Sequence, residues 1–281
     1  MKINFTKMHG IGNDYIYINC LEKELPNPEE LAKAMSPRHF SVGADGVVLI
    51  CKSDIADAKM RMFNADGSEG KMCGNASRCI GKFLYDNGYV DKTDLTLETL
   101  SGVKTLKLKA KDGRVSSVTV DMGIADFEPK NIPLLHKGPM INESITVCGS
   151  EYNMTAVSMG NPHAVCFVED VENLNLEKIG PSFENLEIFP DRVNTEFVKV
   201  KSKKELIMRV WERGSGETYA CGTGASATAA AAVKNGICDK NTEIGIKLLG
   251  GVLKITVDDN YRVFMEGEAK KVYEGVYEFE D

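Results

Sequence analysis

Two segments of this 281-residue chain repeat each other at a fixed offset of 148 residues, so any fold must hold two copies of one plan. Asn64 stands nine residues before Cys73, and Glu212 stands nine before Cys221. Met60 and Arg61 precede Cys73 by 13 and 12 residues, as Met208 and Arg209 precede Cys221. Asn87-Gly88 and Asn235-Gly236 follow at matching distances, and Gly12-Asn13 matches Gly160-Asn161. No drift accumulates between these features, which marks a duplication rather than chance.

Hydrophobic periodicity reads the same way in both halves. Alternation in residues 2–8, 14–19, 46–51 and 58–63 predicts strands. A short helix starts near Asn27, with Pro28 preset for its first position. A second helix follows Cys73 and ends at Asn87, with Gly88 as its cap. Strands are expected again at 95–99, 103–110 and 115–121. The second half copies this with strands at 155–158, 164–168, 195–200 and 206–211, a helix over 222–235, and strands at 244–248, 252–257 and 262–265. That helix contains the run Ala225 to Val233, uncharged on every face, so it must be buried on every face. The expected fold is α+β: two pseudo-symmetric domains, each a curved, mainly antiparallel sheet or barrel around a central helix. Residues 1–125, joined by a C-terminal strand at 268–281, form the first domain, and 126–267 form the second.

Composition narrows the function. A net charge of −7 argues against nucleic acid or an anionic membrane as partner. The N-terminus has no apolar signal segment and no run is long enough to span a bilayer, so a cytoplasmic protein is expected. Eight cysteines without CxxC or HxxxH spacing fit free thiols in a reducing compartment, with no metal site. The glycines of Gly67 to Lys71 lack the spacing of a phosphate-binding loop.

Cys73 and Cys221 each sit between a strand and a helix, followed by Gly-Asn-Ala-Ser and Gly-Thr-Gly-Ala. A helix N-terminus favours anions through unpaired amides and the macrodipole. The dipole contributes up to about 2 kcal/mol, enough to move a thiol from ~8.5 to about 7. One thiolate and one thiol would then coexist near neutral pH. If they flanked a substrate Cα across a domain cleft, one could remove its proton while the other delivered a proton to the opposite face. Cys20, Cys51, Cys79, Cys148, Cys166 and Cys238 read as ordinary core residues.

At these residues the sequence resembles the diaminopimelate epimerase family, over essentially its whole length. The motifs that carry the resemblance are MHGIGND from Met8, RHFSVGADG from Arg38, FNADGSEGKMCGNASRC from Phe63, MGNPH from Met159 and WERGSGETYACGTG from Trp211. The resemblance implies conversion of LL- to meso-diaminopimelate for lysine and peptidoglycan precursors, with no cofactor, neither pyridoxal phosphate nor metal. It makes Cys73 and Cys221 the paired acid and base, the roles depending on the stereoisomer bound. It implies that Asn13, Asn64, Asn161 and Asn194 bond the substrate's polar ends, and that Glu212 and Arg213 engage its distal amino-acid group. The amides of Gly74, Asn75, Gly222 and Thr223 would hold the carboxylate at the reacting centre, with His163 and Glu212 tuning the thiols. In some relatives a C-terminal tyrosine, here Tyr273, supports a homodimer.

Two departures stand out. Many relatives carry a substrate-contacting Gln where this chain has Gly46, and the repeat sets Gly46 opposite Asn194, so the difference reads as ordinary variation. Ala76-Ser77 replaces the commoner Gly-Thr or Gly-Ala and narrows the room above the amides. The alternatives are a proline or hydroxyproline racemase of the same fold, a Cys–His hydrolase using Cys73 and His163, and a thiol redox sensor.

Overall fold

A computed structural model describes residues 1–279. The chain divides into two compact units, one from Met1 to Val120 with the segment from Glu266 onward, the other from Asp121 to Met265. Each unit combines a curved, mainly antiparallel sheet with helices, the α+β class expected from the sequence.

The first unit opens with β1 (Lys2–Gly10) and β2 (Asn13–Cys20), followed by α1 (Pro28–Met35), β3 (Gly46–Cys51), β4 (Ala58–Asn64) and β5 (Glu69–Gly70). Then come α2 (Gly74–Asp86), β6 (Asp94–Thr99), β7 (Gly102–Lys111) and β8 (Arg114–Ile124). β2 and β3 run parallel with Tyr15 opposite Gly46, and β3 and β4 run antiparallel with Gly46 opposite Asn64. α1 presents Leu31, Ala32 and Met35 inward, with Glu29 and Glu30 in its first turn where the dipole favours acid.

The second unit starts with β9 (Glu143–Val147), β10 (Ser150–Ser158) and β11 (Pro162–Phe167), then α3 (Leu176–Glu184), β12 (Asn194–Ser202), β13 (Glu205–Glu212) and β14 (Gly216–Glu217). It continues through α4 (Gly222–Lys234), β15 (Ile244–Leu248), β16 (Gly251–Val257) and β17 (Arg262–Gly267). The last strand, β18 (Lys270–Glu278), pairs antiparallel with β1 of the first unit. Glu280 and Asp281, the end of the C-terminal segment expected from the sequence, lie outside the described residues.

The duplication is visible in the ladders. His163 faces Asn194 across β11 and β12, which is Tyr15 opposite Gly46 moved by 148 residues. Thr195 faces Trp211 across β12 and β13, which matches Val47 opposite Phe63. Both helix ends use one device: the Asn87 and Asn235 side chains donate to the Phe83 and Ala231 carbonyls, and Gly88 and Gly236 turn the chain at positive φ.

α4 shows why its composition is so unusual. Ala225, Ala227 and Ala229 to Ala232 are completely buried, and β10 to β13, β15 and β16 all pack against the helix. Side chains of this size let six strands approach one axis closely. α2 is larger-sided and only partly enclosed. Ile80, Leu84 and Cys79 go inward, while Gly81 admits the Leu106 and Leu108 side chains.

α3, β9, the two-residue strands β5 and β14, and the placement of one cysteine depart from the sequence reading. α3 was not predicted, because Gly180 and Pro181 in a nine-residue helix oppose its propensity. A Cβ at Gly180 would lie 2.2 Å from the Trp211 ring, so tertiary packing fixes this turn. Cys148 is exposed on a turn at positive φ and not in the core, since the tight β9–β10 connection places it outside. Gly180→Ala is expected to cost about 2–3 kcal/mol through overpacking, visible as a lower urea midpoint. An unchanged midpoint would show that the Trp211 contact can relax freely.

Candidate active site

Each cysteine singled out by the repeat caps a helix through its own sulfur. Cys73, half-buried, adopts an extended conformation and its Sγ accepts from the Ala76 amide at 3.5 Å. Cys221 has the same backbone geometry, and its Sγ accepts from the Gly224 amide at 3.3 Å. Ser77 and Ser226 reinforce the two turns by donating their hydroxyls to the Cys73 and Gly222 carbonyls, both at 2.9 Å.

In the first unit the Cys73 thiol donates to Asn13 Oδ1 at 3.4 Å, and Asn75 Nδ2 donates to the same oxygen at 3.2 Å. Asn13 Nδ2 in turn donates to Asp45 at 2.8 Å. Arg38 bridges Asp45 and Asp14 at 2.9 and 2.6 Å, and Lys7 closes the cluster onto Asp14 and the Gly43 carbonyl. These ion pairs hold the turn that presents Asn13. Asn64 lies at the end of β4, where its amide donates to Ser68 at 3.0 Å. Gly74 and Asn75 form the first buried turn of α2. Below them Cys79, fully buried, has its thiol pushed up to about 11 by desolvation.

The second unit surrounds Cys221 differently. Thr223 Oγ1 lies 3.5 Å from its Sγ, and Asn161 Nδ2 reaches that hydroxyl at 3.4 Å. Asn161 Oδ1 faces His163 Nε2 at 3.1 Å, and His163 Nδ1 faces Glu196 at 2.7 Å. His163 and Glu196 have no exposed surface at all. Asn194 is buried too, donating to the Pro162 carbonyl and accepting from the Arg213 amide, both at 2.9 Å. Glu212 accepts from Thr218, and the Arg213 guanidinium donates to the Asp191 carbonyl at 2.7 Å. Glu184 supports this strip from beneath, accepting from Trp211 Nε1, Arg192 and the Gly214 amide.

At Cys221 the helix dipole is outweighed. The Cys221 thiol is held well above its ordinary range, first by burial and then by the Glu212 and Glu196 carboxylates. Bonds from Thr223 and Gly224 pull the other way, and they do not win. Cys221 therefore favours the protonated thiol. Desolvation of a thiolate costs more here than a helix terminus returns.

Glu196 and Glu184 escaped the sequence reading. A signal for Glu196 was available: the repeat aligns it with Val48 and aligns His163 with Tyr15. Ionisable residues thus replace an aliphatic one and a phenol at equivalent buried places.

The sequence profile of diaminopimelate epimerase matches residues 5–128 and 155–272. A diaminopimelate epimerase of Acetivibrio thermocellus is 52% identical over 275 residues, covering 97% of this chain and 98% of that one. One from Methanococcus maripaludis is 50% identical over 275 residues, covering 97% and 99%. Among solved structures, a hydroxyproline epimerase from Agrobacterium vitis superposes with a TM-score of 0.73 at 15% identity, over 98% of this chain and 92% of that one. A PhzF-family phenazine biosynthesis protein of Bacillus anthracis gives 0.73 at 17% identity, over 99% and 100%. At such identities these two likenesses speak for the fold alone.

Proposed function

This chain belongs to the diaminopimelate epimerase family, and from that premise we propose that it converts LL-2,6-diaminopimelate to the meso form by two-base proton transfer at Cα. The observation that carries the reading is the matched pair of sulfur-capped helices, with Cys73 and Cys221 in one backbone geometry. A reaction that needs one acid and one base of the same kind has a use for such a duplicate. A hydrolase pairing Cys73 with His163 does not, and His163 bonds Asn161 and Glu196 in the other unit.

The reaction proceeds by breaking one C–H bond and making another. One cysteine, as thiolate, takes the α-proton and leaves the electron pair delocalised into the substrate carboxylate. The other, as thiol, gives its proton to the opposite face, so each turnover exchanges the two protonation states. Which cysteine acts as base and which as acid depends on the stereoisomer bound. The opening turns of α2 and α4, at Gly74, Asn75, Gly222 and Thr223, would neutralise the carboxylate as charge builds on it. Asn13, Asn64, Asn161 and Asn194 would bond the substrate's polar groups, and Glu212 with Arg213 would take the distal amino and carboxylate groups. This scheme asks nothing of pyridoxal phosphate or a metal. It places the enzyme in the making of lysine and peptidoglycan precursors. Among the described residues no helix is long and apolar enough to cross a membrane, and the proposed setting is the cytoplasm.

The test is proton NMR of LL-diaminopimelate in D₂O with reduced protein. Loss of the α-proton signal with appearance of the meso isomer supports the reading. An inert diaminopimelate sample, with proline or hydroxyproline turning over, would replace it with racemisation of a cyclic amino acid. A homodimer is part of the proposal, through β18, where Val272, Tyr273 and Val276 are exposed. Light scattering should then give twice the chain mass, falling towards one chain mass in Val276→Lys.

A further inference from the structure

The two capped cysteines share a backbone plan, yet the groups behind them differ in kind. Behind Cys221 lies a buried carboxyl–imidazole pair, and the equivalent places in the first unit hold Val48 and Tyr15. Glu196 Oε1 is 2.7 Å from His163 Nδ1, while Glu196 Oε2 is buried with no hydrogen-bond partner among the described residues. A buried polar atom left this way is costly, and nothing about β12 as a strand requires it. A plain aliphatic residue fills the matching site of β3.

The hydrogen-bond directions are fixed by what each atom can do. Asn161 offers its amide hydrogens to Thr223 Oγ1 at 3.4 Å, which leaves its Oδ1, an acceptor only, facing His163 Nε2 at 3.1 Å. Nε2 must therefore carry hydrogen. Between Nδ1 and Glu196 Oε1 one proton is shared, and Nε2 stays a donor whichever side holds it. Thr223, having accepted from Asn161, can turn its own hydroxyl hydrogen to Cys221 Sγ at 3.5 Å, a contact in which either atom is able to donate. When the sulfur is a thiolate it can only accept, and the chain of donors then runs one way, from His163 through Asn161 and Thr223 to the sulfur.

Glu196 also reaches the other donor to that sulfur. A Cβ built on Gly224 would lie 2.6 Å from Glu196 Oε1 and 3.1 Å from Cys221 Sγ. Gly224 is consequently wedged between carboxyl and thiol, and its amide caps the sulfur. The first unit has Ala76 at this place, where the neighbour is not a carboxyl.

We propose that Glu196 is a positioning residue for the reaction: by sharing a proton with His163 it makes Nε2–H a charge-assisted donor at the head of a one-way chain that orients hydrogen onto the Cys221 thiolate. The assignment rests on Cys221 being one of the two reacting thiols. The chain ends on Cys221, whereas the Cys73 thiol donates to Asn13 Oδ1. The ionisable groups that act on the pair are Glu212 from β13, Cys166 from β11 and Cys221 itself at the start of α4. Burial pushes the Glu196 carboxyl up, and its contact with His163 pulls the other way.

The experiment combines nitrogen-15 NMR of the histidine rings with kinetics of Glu196→Gln and Glu196→Asp. Wild-type enzyme should show one ring, assigned by its loss in His163→Asn, with hydrogen on Nε2 and a far-downfield proton at Nδ1. Glu196→Gln keeps the side chain's shape, and it should lose the downfield proton. Its kcat should fall by about tenfold or more, with KM within about twofold, as loss of a group that aids proton transfer predicts. Glu196→Asp should recover the downfield proton and most of kcat. A bare Nε2 in the wild type would overturn the proposal with no variant needed. So would a Gln variant with wild-type kcat, since a merely structural side chain tolerates that exchange. If wild-type enzyme fails to turn over diaminopimelate, the substrate reading fails, and the ring spectrum still decides the hydrogen-bond chain.

Discussion

Cys73→Ala and Cys221→Ala should each reduce epimerisation of LL-diaminopimelate by at least about a thousandfold, the scale on which a positioned acid or base acts. The loss should fall on kcat, because the substrate's carboxylates are held by amides and Arg213 in the proposed site and not by sulfur. Both variants should still fold. The sulfur caps a helix amide at 3.3 to 3.5 Å, and losing a cap costs about 0.5–2 kcal/mol. The informative part is what remains. A single cysteine can remove an α-proton and return deuterium to the same face, so in D₂O each variant should slowly wash deuterium into one stereocentre without inverting it. The two variants should prefer opposite configurations. Cys221→Ala retaining full epimerisation would sink the two-base scheme, and both variants labelling the same configuration would remove the division of faces between the thiols.

Much of this arrangement was open to the sequence, for identifiable reasons. β4 carries strong alternation, β3 is a continuous apolar run of strand length, and α4 has a composition compatible only with complete burial. The repeat located both cysteine turns before any geometry was known. The elements that escaped have weak local signals. α3 contains Gly180 and Pro181 and is fixed by the Trp211 ring lying on the glycine. β18 is a different case: it lies in the C-terminal segment where the sequence leads one to expect a strand, and its mostly exposed side chains are held by the backbone ladder with β1, more than 250 positions away. Glu196 escaped for a different reason. Residues 194–198 are all buried, so the two-residue period carries no inside and outside there. Only the parallel pairing of β11 with β12 reveals His163 as the partner. Which of the two cysteines would be the thiol was not legible, because a dipole can be read from sequence, whereas the burial that outweighs it at Cys221 cannot.

Gly46→Gln, the residue that many relatives are expected to carry, should destabilise this protein rather than improve it. A Cβ at Gly46 would stand 2.0 Å from the Phe63 carbonyl oxygen and 3.0 Å from Tyr15. The first obstacle is backbone, so no rotamer relieves it, and β4 must move away from β3. Overpacking of this kind costs about 3 kcal/mol, already for Gly46→Ala, and the urea midpoint should show it. Function should suffer in the same variants, since Gly46 pairs with Asn64, the proposed substrate contact at the end of β4. A shift large enough to admit a methyl group would carry Asn64 with it, so kcat/KM should fall by about tenfold even at temperatures where the protein stays folded. The matching residue of the other unit, Asn194, is accommodated because its side chain bonds the Pro162 carbonyl and the Arg213 amide. Glycine at position 46 is thus a packing requirement of this β3–β4 ladder, not the interchangeable variation that the sequence alone implied. A Gly46→Gln protein with an unchanged midpoint and undiminished turnover would show that the ladder can open at no cost, and would return the position to substrate recognition.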